Sequence, residues 1–289
     1  MSFPVGSKVI DTMFGLPDAP GLTAAYESFK GLYRDRESRD FAMPAQYMFR
    51  NIPDIDNLAD PVGWAVEQMD KFNIEKALIG VNPMGTLHEV ARDRFADRFI
   101  FDIGLDPNYG MDEVRRLRQL TKEYDVRAAS VFPCGCDPQV PINDKRMYVM
   151  YAACIDLGLP IFVNAGVPGP RVPMYPQLVE HIDEVCWFFP ELKFVMRHGA
   201  HPWEDLAVSL MVKYPNLYYS TSAFAPKFYP KAIVDYANTR GADKIIYAGY
   251  FPMGLSLERI FGDMQNVGFA DHVWPKFLYE NAKRLLGLG

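Results

Sequence analysis

The feature that most constrains the fold is a rhythm of short apolar runs separated by longer amphipathic segments. Nearly continuous apolar strands, each followed by a helix, are typical of a parallel sheet buried on both faces. Eight such strands in 289 residues favour a closed (β/α)8 TIM barrel. The alternative is an open doubly wound sheet, which normally carries a glycine-rich phosphate turn that is missing here. The predicted strands are residues 8–12, 76–81, 99–105, 126–132, 159–164, 192–198, 217–221 and 244–248.

The segments between these runs have helical periodicity, so the whole chain, residues 1–289, is interpreted as one barrel domain. The first of the regular helices begins with Asp60-Pro61, an N-cap followed by proline at the first helical position. The predicted helices are residues 60–72, 111–124, 143–157, 175–189, 203–214, 230–240, 257–264 and 275–286.

One connection, residues 15–57, is irregular. It contains no predicted strand and one predicted helix, around residues 23–33, and it is rich in aromatic residues and arginine. Long loops in compact domains are usually functional, and this one follows the first strand, so it would lie over the catalytic end of a barrel. We interpret it as a lid or pocket wall; a contact between subunits is the alternative.

Composition excludes several classes of function. The net charge of −6 and the absence of a Lys/Arg run argue against nucleic-acid binding. No apolar stretch is long enough to cross a membrane, and the first residues do not have the pattern of a signal peptide. Four cysteines are too few for a disulfide scaffold, so a reducing cytoplasm is expected. A metal or redox role for Cys134-Gly135-Cys136 is left open, although the spacing is not CxxC.

The sixth apolar run ends in a histidine, His198, which is followed by glycine. Strand ends of this kind carry the chemistry of parallel α/β folds, and the ordinary pKa of histidine lies near neutrality. His198 is therefore the candidate acid/base, with packing as the alternative role. His201 and Trp203 follow and are candidate substrate contacts, with a structural role as the alternative.

Polar residues elsewhere are weaker candidates. Asp11, near the end of the first strand, could be a charge partner of His198, a second acid/base, or a buried carboxylate that binds backbone amides. Arg50 and Arg171 could hold a carboxylate with paired donors. Apolar and aromatic residues at strand ends, among them Met13, Phe132 and Tyr247, indicate a hydrophobic, cyclic substrate with a polar or anionic end.

Five segments, in order along the chain, resemble the amidohydrolase-related family, in the amidohydrolase 2 branch that holds aminocarboxymuconate-semialdehyde decarboxylase. The resemblance implies a distorted (β/α)8 barrel, decarboxylation, hydration or hydrolysis as the reaction, and a homodimer. The segments are Val9-Ile10-Asp11, Met69 to Ala77, His198-Gly199-Ala200-His201-Pro202-Trp203, Tyr247-Ala248-Gly249-Tyr250-Phe251-Pro252, and Glu280 to Gly287.

The chain departs from the family's metal-binding pattern. The two histidines of the family's Asp-x-His-x-His fall at Met13 and Gly15, the strand-five histidine at Asn164, and the strand-eight aspartate at Tyr250. Only His198 is kept, and a catalytic zinc needs about three protein ligands, so we predict no metal and no other cofactor. Asn164 and Tyr250 are instead expected to donate hydrogen bonds to a developing oxyanion.

The sequence thus predicts a metal-independent lyase or hydrolase that acts on a hydrophobic, cyclic carboxylic acid or carbonyl compound by His198-centred acid/base catalysis. Asp11, Asn164 and Tyr250 are its other candidate catalytic residues. Two alternatives stay open at this point: an inactive protein that binds a small molecule or another protein, and a metal-dependent enzyme with unusual ligands.

Overall fold

The computed structural model describes residues 3–55 and 58–289. Eight parallel strands form one sheet in the order of the chain, with helices outside it, so the predicted TIM barrel is confirmed. The strands are β1 Val9–Asp11, β2 Ile74–Gly80, β3 Phe99–Gly104, β4 Val126–Val131, β5 Ile161–Asn164, β6 Phe194–Arg197, β7 Leu217–Ser220 and β8 Ile245–Ile246. The helices are α1 Ala19–Phe29, α2 Arg36–Asp40, α3 Pro61–Lys71, α4 Leu87–Arg94, α5 Met111–Glu123, α6 Lys145–Asp156, α7 His181–Phe188, α8 Glu204–Lys213, α9 Lys231–Tyr236, α10 Leu257–Asp263 and α11 Asn281–Leu285.

Every predicted strand overlaps an observed one, whereas the helices differ from the prediction in several places. Helix α4 was not predicted, because its sequence LHEVARDR is mostly polar. The predicted helix over residues 175–189 is interrupted: Tyr175–Gln177 is a 3-10 turn, and α7 begins at His181. The predicted start of α3 is confirmed, since the Asp60 carboxylate accepts a hydrogen bond from Gly63 N at 3.1 Å.

The barrel interior is built in layers, because alternate residues of a strand point to opposite faces. Next to α11 lies an apolar layer of Ile10, Leu78, Ile100, Ala128, Phe162, Val195 and Ile246. Further along five of the strands, the same face carries buried polar side chains. This polar layer consists of Asp102, Ser130, Asn164, Arg197 and Ser220.

Strands β1 and β8 stand at the two ends of the hydrogen-bonded strand order, and the seam between them is held by hydrogen bonds of residues 11–15 with residues 247–251. The backbone N–H of Thr12 donates to the Tyr247 carbonyl at 3.3 Å, and Phe14 forms an isolated parallel bridge with Phe251. The Asp11 carboxylate accepts a hydrogen bond from Gly249 N at 2.9 Å, across 238 residues of sequence. These contacts close the sheet into a barrel.

We call residues 15–57 the lid segment; residues 56 and 57 lie outside the described part. It contains α1 and the short helix α2, which was not predicted. Its aromatic residues include Tyr47, whose hydroxyl donates to the Gly169 carbonyl beyond β5 at 2.7 Å. Among the described residues, no helix has the length and apolar character needed to span a bilayer.

Candidate active site

A cavity of about 770 Å³ lies at the C-terminal ends of the strands. The lid segment supplies much of its apolar wall, including Tyr26, Phe29, Met43, Met48 and Phe49. Six of the residues selected from the sequence also line it. These six are Met13, Phe132, Asn164, His198, His201 and Tyr250.

His198 faces the cavity because the backbone turns at the end of β6. Strict alternation would direct its side chain outward, as for Met196, but φ at His198 is +67°. Its backbone N–H donates to Ser222 Oγ at 3.1 Å, and Ser220 donates to the same oxygen at 3.5 Å. Because Ser222 Oγ already accepts these two hydrogen bonds, its own proton is directed to His198 Nδ1, 3.0 Å away. Nδ1 is then the acceptor, and the ring proton lies on Nε2.

The His198 ring is neutral at neutral pH. Burial and, to a smaller extent, the positive charge of Arg197 lower its pKa to about 3, although the contact with Ser222 acts in the opposite direction. The ring can therefore offer a hydrogen bond to a bound molecule, but it is a weak base in the empty cavity.

Tyr250 and Asn164 lie beside this histidine in the cavity wall. The Tyr250 ring stacks on Phe49, with centroids 5.5 Å apart, and meets the His198 ring edge-on at 5.4 Å. Its backbone is also left-handed, with φ +63°, a strained conformation of the kind that clusters at functional sites. Asn164, on β5, is 8% exposed and lines the cavity. Both side chains are thus available to a ligand.

Asp11 does not line the cavity. It is fully buried in the seam, where its Oδ1 accepts hydrogen bonds from the backbone N–H groups of Met13 and Gly249, each at 2.9 Å. Burial raises its pKa to about 7, and the two backbone hydrogen bonds limit the rise. Of the roles predicted for Asp11, this placement agrees with that of a carboxylate that binds backbone amides.

Four predicted substrate contacts lie away from the cavity. Tyr247 is fully buried and packs against other core rings, and Trp203 packs on the outer core. Arg50 is exposed, and its backbone carbonyl accepts a hydrogen bond from Arg259. Arg171 pairs with Asp35 and Glu37 of the lid segment. For Tyr247, which directly follows β8, sequence position near a strand end does not fix which way the side chain points.

His201 does reach the cavity, but at its rim. Its side chain is 60% exposed, and Nδ1 lies 2.8 Å from the Glu204 carboxylate. This contact is consistent with either of the roles predicted for it.

Sequence reasoning missed Arg197, the residue immediately before His198. Its side chain lines the cavity from the polar layer, is 8% exposed, and has its Cζ 5.0 Å from the centre of the Phe162 ring. One guanidinium nitrogen, Nη2, lies 3.4 Å from Asp102 Oδ2. A charged residue inside an apolar strand was the available signal, because arginine is almost never buried unless paired.

Arg259 of α10 is the second guanidinium in the cavity wall. Among the described residues, its side chain has one hydrogen-bond partner, the Arg50 carbonyl at 3.4 Å. None of the described residues that line the cavity is an aspartate or glutamate. The cavity is therefore electropositive and mostly apolar.

The residues at the strand ends do not fit a catalytic metal. Within residues 3–55 and 58–289, no three or more His, Cys, Asp or Glu side chains form a group that could hold an ion. The guanidinium of Arg197 would also repel a cation at the same place. Cys134 and Cys136 do not supply ligands: both are buried, and their thiols donate to the carbonyls of Pro173 and Phe132. Burial raises the pKa of Cys134 to about 12, which keeps it protonated.

Comparison with known proteins places this geometry in a family. The family model described as amidohydrolase matches residues 53–288. An uncharacterised TIM-barrel protein from Bordetella bronchiseptica superposes with a TM-score of 0.76 at 22% identity, over 97% of this chain and 98% of that one. No curated protein matches the sequence.

Two decarboxylases share the fold. For 5-carboxyvanillate decarboxylase from Sphingomonas paucimobilis the TM-score is 0.69 at 14% identity, covering 98% of this chain and 100% of that one. The second is a dihydroxybenzoic acid decarboxylase from Polaromonas sp. JS666, which was solved with bound manganese and the inhibitor 2-nitroresorcinol. Its TM-score is 0.65 at 15% identity, and the match covers 99% of this chain and 98% of that one. The family model covers residues 53–288, so the chain belongs to the amidohydrolase family and is an amidohydrolase-related enzyme.

Proposed function

We propose that this enzyme is a metal-independent lyase that releases CO2 from a hydrophobic, cyclic carboxylic acid. The lining of the cavity carries the proposal: apolar and aromatic walls, the two guanidiniums of Arg197 and Arg259, His198, and no carboxylate among the described lining residues. Apolar walls suit a ring, and guanidiniums suit a carboxylate. The relatives named as decarboxylases agree with this reaction class.

The choice of a lyase over a hydrolase rests on the absence of a base. Hydrolysis and hydration need a group that takes a proton from water. The described part of the lining offers no carboxylate for that purpose, and a His198 with its pKa lowered to about 3 is a weak base. Decarboxylation has a different need, which is a proton donor at the carbon that loses CO2.

His198 can become that donor when the substrate binds. A carboxylate beside the imidazole supplies a nearby negative charge, which raises the pKa of His198 and favours uptake of a proton. In the proposed step the bond between the carboxyl carbon and the ring breaks, and CO2 leaves. The bonding electron pair stays on the ring carbon, which takes the proton from His198. Asn164 and Tyr250 would orient the substrate by hydrogen bonds.

The test is a panel of aromatic and alicyclic carboxylic acids incubated with chelator-treated enzyme, with released CO2 and product measured by mass spectrometry. His198→Asn removes the acid/base group, and asparagine tolerates the left-handed backbone at this position. We expect the variant to lose at least about 100-fold in kcat/KM, the scale of general acid catalysis. His272→Asn, an exposed histidine, should retain full activity.

Two results would contradict the proposal. One is a product that keeps the carboxyl carbon, as hydrolysis or hydration would give. The other is full CO2 release by a folded His198→Asn variant on the same substrate.

A further inference from the structure

Arg197 is a buried cation whose hydrogen-bonding capacity is largely unused. A guanidinium carries five N–H donors, and among the described residues this one makes a single hydrogen bond, of 3.4 Å, with Asp102. Its Nε has no partner among the described residues, and neither has Asp102 Oδ1, although both atoms are buried. The arginine is nonetheless in place at the cavity wall.

The pairing of Arg197 with Asp102 is not expected to stabilise the folded protein. Taking two opposite charges out of water costs more than their attraction returns unless the remaining donors and acceptors are also satisfied. Here they are not satisfied, and the separation is long for a charge-assisted hydrogen bond. A buried guanidinium with free donors at a cavity wall is instead suited to an anion that enters the cavity.

The surroundings of the guanidinium fix what kind of anion fits. Arg197 is flanked on the cavity side by Asn164, its neighbour in register on β5, and by His198, its neighbour in sequence. Its positive charge influences the pKa values of both His198 and Tyr250, so it lies near the groups proposed to act on the substrate. The walls above are aromatic and apolar.

We propose that the Arg197 guanidinium, steadied by Asp102 and the Phe162 ring, is the binding group for the substrate carboxylate. It would supply a fixed positive charge at the end of the barrel where the family's pattern places metal ligands. This inference rests on the proposed function for the identity of the substrate, but the binding of a carboxylate can be measured without turnover.

The experiment compares carboxylates with their neutral amides. Benzoate, 2-naphthoate and cyclohexanecarboxylate, each beside its amide, are titrated into the full chain by calorimetry. Wild-type protein should bind at least one acid about 10- to 100-fold more tightly than its amide, the range expected for hydrogen bonds to a charged group. In Arg197→Met this preference should disappear.

Two further variants separate binding from folding. Arg197→Met/Asp102→Leu removes both charges, so no unpaired carboxylate remains buried, and it should also lose the preference. Asp102→Asn keeps the cation and removes its competing anion, so its affinity for the acid should be unchanged or higher. A purely structural pair predicts that Asp102→Asn weakens the binding of acid and amide alike.

The proposal is overturned if wild-type protein prefers no acid over its amide, or if the double variant keeps the preference. Failure of the proposed function has a different signature: a carboxylate that binds through Arg197 and is recovered unchanged. If Arg197→Met keeps full kcat/KM, the proposed lyase activity stands, but Arg197 is not its carboxylate-binding group.

Discussion

Arg197 and His198 are adjacent in sequence, yet both side chains reach the same end of the barrel. Arg197 points inward by the ordinary alternation of β6, and the left-handed backbone at His198 turns the next side chain in the same direction. A strained turn thus places a permanent cation beside a titratable ring. An anion bound between them would accept hydrogen bonds from the guanidinium, and its negative charge would raise the pKa of the ring and favour uptake of a proton from solvent.

Asp11 should make the stability of the protein depend on pH. Its folded pKa is raised to about 7 by burial, so the protein is stabilised by this group below the unfolded pKa near 4, and that contribution is lost as the pH rises towards 7. The difference amounts to about 4 kcal/mol in the free energy of unfolding. Asp11→Asn keeps an acceptor for both amides, so urea unfolding should show it close to wild type at about pH 3.5, below the unfolded pKa, and more stable at pH 8.

The exposed Asp271 provides the matched control, because Asp271→Asn should leave the pH profile of wild type unchanged. An Asp11→Asn variant whose unfolding free energy still falls between pH 4 and 7, as in wild type, would show that another group is responsible.

At the scale of elements, the lid segment is fastened to the loop after β5 through Arg171. One guanidinium nitrogen lies 3.2 Å from Asp35 and 2.8 Å from Glu37, and the group lies over the rings of Phe41 and Tyr47. Pairs this exposed are each worth about 0–1 kcal/mol. Arg171→Met should therefore raise hydrogen exchange over residues 35–48 by about 2- to 6-fold, with little change in Tm.

Arg36→Met is the control within the same segment, because Arg36 is 95% exposed and its distance to Asp40 is 3.9 Å. Equal exchange in the two variants would mean that Arg171 does not hold the lid segment. A large fall in Tm for Arg171→Met would assign it to the stability of the barrel instead.

The strands could be predicted because burial on both faces leaves a clear apolar signal, and the strand end at His198 could be found by the same signal. Helix α4 could not, since few apolar residues mark its buried side. Arg197 was hidden because a one-dimensional pattern does not say which face of a strand is the inside of the barrel. Arg171 looked like a substrate clamp, but its acidic partners are more than 130 residues away in sequence.

For the molecule as a whole, the donor set predicts that metal is not needed. Elemental analysis of purified protein should give well below one equivalent of transition metal per chain. Dialysis against a chelator, followed by zinc or manganese, should change neither Tm nor turnover, because the described residues offer no three-ligand group. The manganese-containing dihydroxybenzoic acid decarboxylase is a suitable positive control. A tightly held stoichiometric ion, or activity restored by metal, would reject the prediction.

A ligand bound at the seam should stabilise the whole barrel. Met13 lies on one side of it and Tyr250 on the other, and both line the cavity. Because β1 and β8 stand at the two ends of the hydrogen-bonded strand order, thermal opening of the barrel should begin at the seam, and it would split the cavity in two. A molecule that contacts both sides of the seam would hold β1 and β8 together. The ligand that binds most tightly should therefore also slow the separation of these strands most strongly.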